Sequence, residues 1–137
     1  MWNEEAGKEL LRTRRVAHSG QMKNDLELRT KRFALDVISF VTSVKPSRPA
    51  DILGRQLLKS GTSIGANYRE AVRAESRNDF IHKLGICEKE AAETEYWIEL
   101  FAESRLARTE TCGTLLKECR ELIAIVVASS RTAKSRL

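Results

Sequence analysis

Between residues 80 and 101 the side chains Phe80, Leu84, Cys87, Ala91, Thr94, Ile98 and Phe101 recur in alternating steps of four and three. Such a repeat returns to one face of an α-helix, and a second helix is the surface whose holes accept those knobs. Cys112, Leu115, Cys119, Leu122 and Val126 repeat the pattern downstream. Two helices of this kind cannot bury their seams alone, so the chain is constrained to a helical bundle. A first helix is expected over about residues 25–44, with Phe33, Val37, Phe40, Val41 and Val44 on one face. Pro46 and Pro49 end it, because proline lacks the amide hydrogen and clashes with the preceding turn. Pro49 suits the first turn of a second helix reaching about residue 74, with Ser47 as its cap. Ser76 reads as the cap of the third helix, with Asp79 as its capping-box partner. Thr109 is the expected cap of the fourth. Short connections between four helices favour an all-α, antiparallel up-down-up-down four-helix bundle. Residues 122–127 are rich in β-branched side chains that suit a strand, but the regular spacing leading into them favours helix.

The 137-residue chain fits one domain. The sequence divides into an N-terminal segment, residues 1–21, and a bundle domain, residues 22–137. The segment has few apolar residues and no sustained period, and reads as a mobile arm or a mis-assigned start ahead of Met22. It also lacks the apolar core of a secretory signal. The longest strongly apolar run, residues 122–128, is far short of the roughly 20 residues that cross a bilayer. A cytoplasmic protein is the expectation. Cys87, Cys112 and Cys119 are odd in number and show no CxxC spacing, so they are expected to act as small buried hydrophobes.

The second helix carries three kinds of stripe. Leu53, Leu57, Ser60, Ile64, Asn67 and Ala71 form one, and Gly54, Leu58, Gly61, Gly65 and Tyr68 form its neighbour. Each interior glycine costs about 0.8–1 kcal/mol relative to alanine, so another helix is expected to approach closely at Gly61 and Gly65. The fourth helix is apolar nearly all round near Ile125 and Val127, and such a helix needs cover on every side. Together these features point to a homo-oligomer, unless the N-terminal arm or C-terminal tail supplies the cover. The third stripe is basic: Arg55, Lys59, Arg69 and Arg73, with Arg77 just beyond. It has three readings, namely solvent, subunit contact and phosphate contact. The third helix is acidic instead, with Glu88, Glu90, Glu93, Glu95, Glu99 and Glu103. An acidic helix of one protomer facing the basic helix of another is one way to make the subunit contact.

No catalytic constellation emerges. His18 and His82 are the only histidines. The single Asp79-x-x-His82 pair lacks the second copy and the extra carboxylates of a di-metal bundle site. His82 and Cys87, five residues apart on a helix, fall on different faces. Phosphate-cradling loops, GxSxG and HExxH are absent. The expectation is a protein without catalytic residues, metal or cofactor.

Residues 57–71, with Ser63, Ile64, Asn67 and Glu70 at their centre, resemble the bacterial four-helix bundle family encoded in 23S ribosomal RNA intervening sequences. The likeness continues through residues 76–84, with Asp79-Phe80, and through residues 93–100, with Tyr96-Trp97. Residues 33–37 fit as well, so the resemblance covers about residues 25–130. Residues 28–32 stand where that family's first helix is aromatic-rich, and Ala71 stands where a glycine often follows the core glutamate. The resemblance implies a ring-shaped homopentamer. Relatives of the fold serve as accessory proteins of diversity-generating retroelements, binding nucleic acid and a reverse transcriptase. Asn67 then has two roles open to it, fixing register in an apolar seam or touching a ligand, and Glu70 is placed to receive a basic group from another helix. The expected function is a non-enzymatic ring that binds RNA or DNA through Arg55, Lys59, Arg69, Arg73 and Arg77. The alternative is a protein-interaction scaffold for a reverse transcriptase or another nucleic-acid enzyme. A ring multiplies the net charge of +5 on each chain, and phosphate contacts of this kind give affinity without sequence specificity.

Overall fold

A computed structural model describes residues 19–136, with side chains from Asp25 onward. Readings that concern residues 1–18, including most of the 1–21 segment, lie outside the described residues. Four helices follow one another: α1 (Ser19–Ser43), α2 (Arg48–Ala71), α3 (Arg77–Glu103) and α4 (Thr109–Lys134). Each packs against its neighbour in the chain, and α1 closes on α4 through the thinnest of the four seams. The result is the four-helix bundle expected from the heptads.

The helix ends show how local chemistry sets the boundaries. Ser47 is extended and accepts a hydrogen bond from the Ala50 amide, with Pro49 in the first turn of α2. Ser76 caps α3 in the same way through the Asp79 amide, at 3.0 Å. α2 ends at Ala71, short of the expected residue 74. Its last carbonyls switch to three-residue spacing there, with Arg73 donating to Glu70 and Ala74 to Ala71. α1 starts at Ser19, upstream of the expected residue 25. The expected cap at Thr109 is corrected. Arg108 holds the N-cap position without a side-chain bond, and Thr109 is already helical. A left-handed turn at Arg105 (φ 61°) sets this register. It folds the Leu106 and Ala107 amides back onto the Phe101 carbonyl.

The third and fourth helices bury the residues their spacing nominates. Phe80, Leu84, Cys87, Ala91, Thr94, Ile98 and Phe101 are all buried, as are Cys112, Leu115, Cys119, Leu122 and Val126. Each large side chain so removed from water stabilises the fold by about 1.5–3 kcal/mol. Phe40 of α1 meets Phe101 of α3 edge to face, with ring centroids 5.3 Å apart. Two core hydroxyls meet across the α2–α3 seam, with Thr94 2.9 Å from the Ser60 hydroxyl and 2.7 Å from the Glu90 carbonyl. The buried indole Nε1 of Trp97 has no partner among the described residues. Two thiols reach across helix seams, Cys87 to the Ile64 carbonyl and Cys119 to the Ala91 carbonyl.

The glycines of α2 face α1 of the same chain. A Cβ on Gly61 would lie 3.0 Å from Val37 Cγ2, and one on Gly65 would lie 3.1 Å from Thr30 Oγ1. Gly54 stands in the same relation to Val41. The close approach that repays these glycines is therefore intramolecular, and it needs no second protomer. The apolar stretch of α4 is also largely covered within the chain. Leu122 and Val126 are buried, and Ile123, Ile125, Val127 and Ala128 are half-buried.

The glycine contacts generate a paired prediction. Gly61→Leu forces a side chain against the fully buried Val37 and should cost about 1–3 kcal/mol. Gly113→Ala, in α4, meets nothing within 4 Å and should stabilise by up to about 1 kcal/mol. Urea unfolding at fixed protein concentration checks both signs.

Candidate nucleic-acid interface

At 100° per residue, Arg55, Lys59 and Arg69 fall within one arc of α2, Arg73 follows just past its end, and all four are exposed. The buried residues of the same helix, among them Leu57, Gly61, Ile64 and Tyr68, occupy the opposite side. The basic stripe is thus turned fully away from the core and runs for about 21 Å from Arg55 to Arg69 at 1.5 Å per residue, with Arg73 just beyond. The Arg73 guanidinium donates to the Arg69 carbonyl at 3.0 Å, one turn back. None of the four cations pairs with a described carboxylate.

Arg77 departs from the stripe. It begins α3, is half-buried, and points its guanidinium at the Arg136 carbonyl beyond the end of α4. Its Nε is buried and has no partner among the described residues. This contact joins Arg77 to a second group of cations that the sequence reading missed. Arg131 and Lys134 lie in the last turn of α4, with Arg136 just after it, and all three are exposed. The antiparallel topology brings the end of α2, the start of α3 and the end of α4 to the same end of the bundle. The signal was a basic cluster near the C-terminus, but its place beside Arg73 and Arg77 requires the fold.

The remaining nominated residues are structural neighbours rather than parts of one site. Gly61 and Gly65 face α1. Asn67 is half-buried and donates to the Ser63 carbonyl of its own helix at 2.8 Å. Glu70 is exposed and receives Lys83 of α3 at 3.1 Å, a contact worth little in water. Ile125 packs against the core, and Val127 is half-buried on the next face of α4.

The acidic groups are held elsewhere. Glu95 and Glu99 of α3 receive Arg120 of α4 at 2.6 and 3.3 Å. Glu118 of α4 binds Arg29 of α1 through two 2.7 Å hydrogen bonds, and Glu121 adds a third at 3.1 Å. Paired with Glu118 first and Glu121 second, the Arg29 guanidinium is held above its ordinary pKa. This clasp bridges the thin α1–α4 seam. A further surface went unnoticed in the sequence: Leu28, Leu35 and Ile38 are 59%, 54% and 43% exposed on the outer side of α1. Leu28 and Leu35 are seven residues apart, a spacing hidden by the stronger core repeat beside it.

Burial dominates the ionisable groups of the interior. It pushes the thiols of Cys87 and Cys119 up to about 12, with nearby glutamates adding to the effect. Burial raises Cys112 and Tyr68 as well. Such thiols stay protonated at neutral pH and are poor nucleophiles. His82 is exposed while Cys87 is buried, so the two do not form a pair. Among the described residues no group of three or more His, Cys, Asp or Glu is placed to hold a metal ion. No described helix is long and apolar enough to cross a membrane.

With this geometry in place, comparison with known proteins gives the chain its relatives. The family described as 23S rRNA-intervening sequence protein matches residues 23–128. The chain belongs to that family. Among solved structures, a Bacteroides thetaiotaomicron protein, described as of unknown function and from the S23 ribosomal protein family, has the same fold. It is 34% identical, with a TM-score of 0.75 over 80% of this chain and 97% of its own. No curated protein matches the chain. The matched segment of this family member takes in the whole basic stripe of α2 and the glycine contacts behind it, but ends before Arg131.

The raised thiols make a prediction with a definite sign. Unfolded cysteines ionise near pH 8.5, whereas Cys87 and Cys119 stay protonated to about 12. Their contribution is therefore complete below about pH 8.5 and is lost as pH rises toward 12. Urea midpoints should fall from pH 8 to pH 10.5, and the fall should be shallower in a Cys87→Ala, Cys119→Ala variant.

Proposed function

We propose that this protein is a non-enzymatic, oligomeric bundle of the cytoplasm that binds RNA or DNA through backbone phosphates. The observation that carries the reading is the exposed row of Arg55, Lys59, Arg69 and Arg73, turned away from the core of α2 and paired with no described carboxylate. A buried or paired stripe would already be accounted for by packing, and this one is not. Guanidinium and ammonium groups spread over about 21 Å of α2, with Arg73 beyond, match a polyanion whose charges repeat along its length. Arg131, Lys134 and Arg136, with the contact from Arg77, extend the positive surface around the end of the bundle. Among the described residues Tyr68 is buried and Trp97 is half-buried, and the exposed ring of Tyr96 lies on α3, away from the stripe. The reading is accordingly phosphate binding without base selection. The oligomer proposed is the ring-shaped pentamer that the resemblance to the intervening-sequence family implies, and it would repeat the stripe around its circumference.

A second reading has its own observation. The exposed Leu28, Leu35 and Ile38 of α1 form an apolar row that the described residues leave uncovered, and such rows mark subunit or partner contacts. In that case the protein is a scaffold for a reverse transcriptase or another nucleic-acid enzyme, and the chemistry belongs to the partner.

Charge reversal separates the two. Arg55→Glu, Lys59→Glu, Arg69→Glu and Arg73→Glu together should weaken binding of a mixed RNA and DNA pool by more than about 100-fold at low salt. Light scattering after size exclusion should give the same mass, near five chains, for wild type and variant. Loss of the oligomer would make the stripe a subunit contact, and unchanged binding would favour the scaffold.

A further inference from the structure

The opposite end of the bundle holds a cleft of about 760 Å³ between the end of α1 and the turn that joins α3 to α4. Three of its lining residues are cations, Lys45 from the α1 side and Arg105 and Arg108 from the turn, and none is a carboxylate. Sixty residues of chain separate Lys45 from Arg105, so only the fold brings them together. No described acid pairs with any of the three. Phe40, Val44 and Leu106 contribute apolar walls, and Ser43, Thr109 and Thr111 contribute hydroxyls. The Ser43 hydroxyl is spent on the Phe40 carbonyl. A neighbouring hollow shares Phe40, Ser43 and Thr111 but carries the acids Asp36, Glu110 and Glu118. Of these, Glu118 is bound by Arg29.

A concavity lined by three cations and no carboxylate is complementary in charge to an anion. One carboxylate leaves most of that charge unmatched. A phosphate monoester carries about −1.5 to −2 at neutral pH and offers three strong acceptor oxygens. The volume is also that of a pocket for a small organic molecule rather than a bare ion. We propose that this cleft binds the terminal phosphate of a nucleotide, either free or at the 5′ end of a nucleic acid. Lys45, Arg105 and Arg108 hold the phosphate, and the apolar walls take the adjoining sugar and base. The site lies apart from the α2 stripe and differs in kind, because the stripe meets internal phosphodiesters and this cleft meets a chain end.

Calorimetric titration with adenosine 5′-monophosphate tests the site on its own, beside short RNAs that differ only in a 5′-phosphate or 5′-hydroxyl. The nucleotide should bind to wild type and to the four-residue charge-reversed α2 variant alike. Binding should weaken more than tenfold in a Lys45→Gln, Arg105→Asn, Arg108→Gln variant, where asparagine tolerates the left-handed φ at 105. Arg108→Gln alone, at an exposed position, should weaken it in part. Equal preference for the nucleotide and the 5′-phosphorylated RNA supports the proposal for both sources, and preference for one alone assigns it to that source. The proposal is overturned if neither binds, if succinate binds as tightly as the nucleotide, or if the three-residue variant folds and binds as wild type does.

Discussion

The close approach of α1 to the glycine face of α2 is the contact on which the rest of the molecule depends. Gly54, Gly61 and Gly65 let Val41, Val37 and Thr30 sit where side chains would otherwise stand. That proximity fixes which side of α2 is inward and holds Leu57, Ile64 and Tyr68 in the core. It thereby turns Arg55, Lys59, Arg69 and Arg73 outward. A helix with three interior glycines forfeits about 2–3 kcal/mol of intrinsic stability, and it is dispersion and burial along this seam that offset the loss. The charge pattern of the surface is thus a consequence of packing behind it.

The other seams divide the work. Heptad packing joins α3 to α2 and α4, with the Ser60–Thr94 pair and the two thiol contacts crossing the seams inside. The α1–α4 seam is thin, and Arg29 spans it with a bidentate grip on Glu118. Glu118 and Glu121 take Arg29 across this seam, and Glu95 and Glu99 take Arg120 between α3 and α4. The cations of the α2 stripe pair with no described carboxylate.

Much of the fold was legible in the sequence. The four-three spacing of α3 and α4 named their buried residues, and Ser47 and Ser76 marked two helix starts, because both signals act over a few residues. The start of α4 was misplaced by one residue because a left-handed turn at Arg105 sets it, and arginine gives no local warning of that backbone. The glycines announced a close approach but not the partner. Their contact is with α1 of the same chain, from thirteen residues back for Gly54 to thirty-five for Gly65, and not with a second chain. The site was legible only as a stripe. Arg77 points instead at the Arg136 carbonyl, and only the topology brings Arg131, Lys134 and Arg136 to that end of the bundle. The outer apolar row of α1 was masked by the core repeat it runs beside.

The account stands or falls on whether the α2 stripe meets phosphates, and the salt dependence of nucleic-acid binding asks this most directly. Affinity for duplex DNA, followed by anisotropy across a salt series, should fall on a log–log line. With four phosphate contacts from one protomer the slope should be about −3 to −4, steeper if several protomers engage. It should collapse toward zero in the charge-reversed variant. An affinity for nucleic acid that is insensitive to salt, or no affinity at all at low salt, would contradict it.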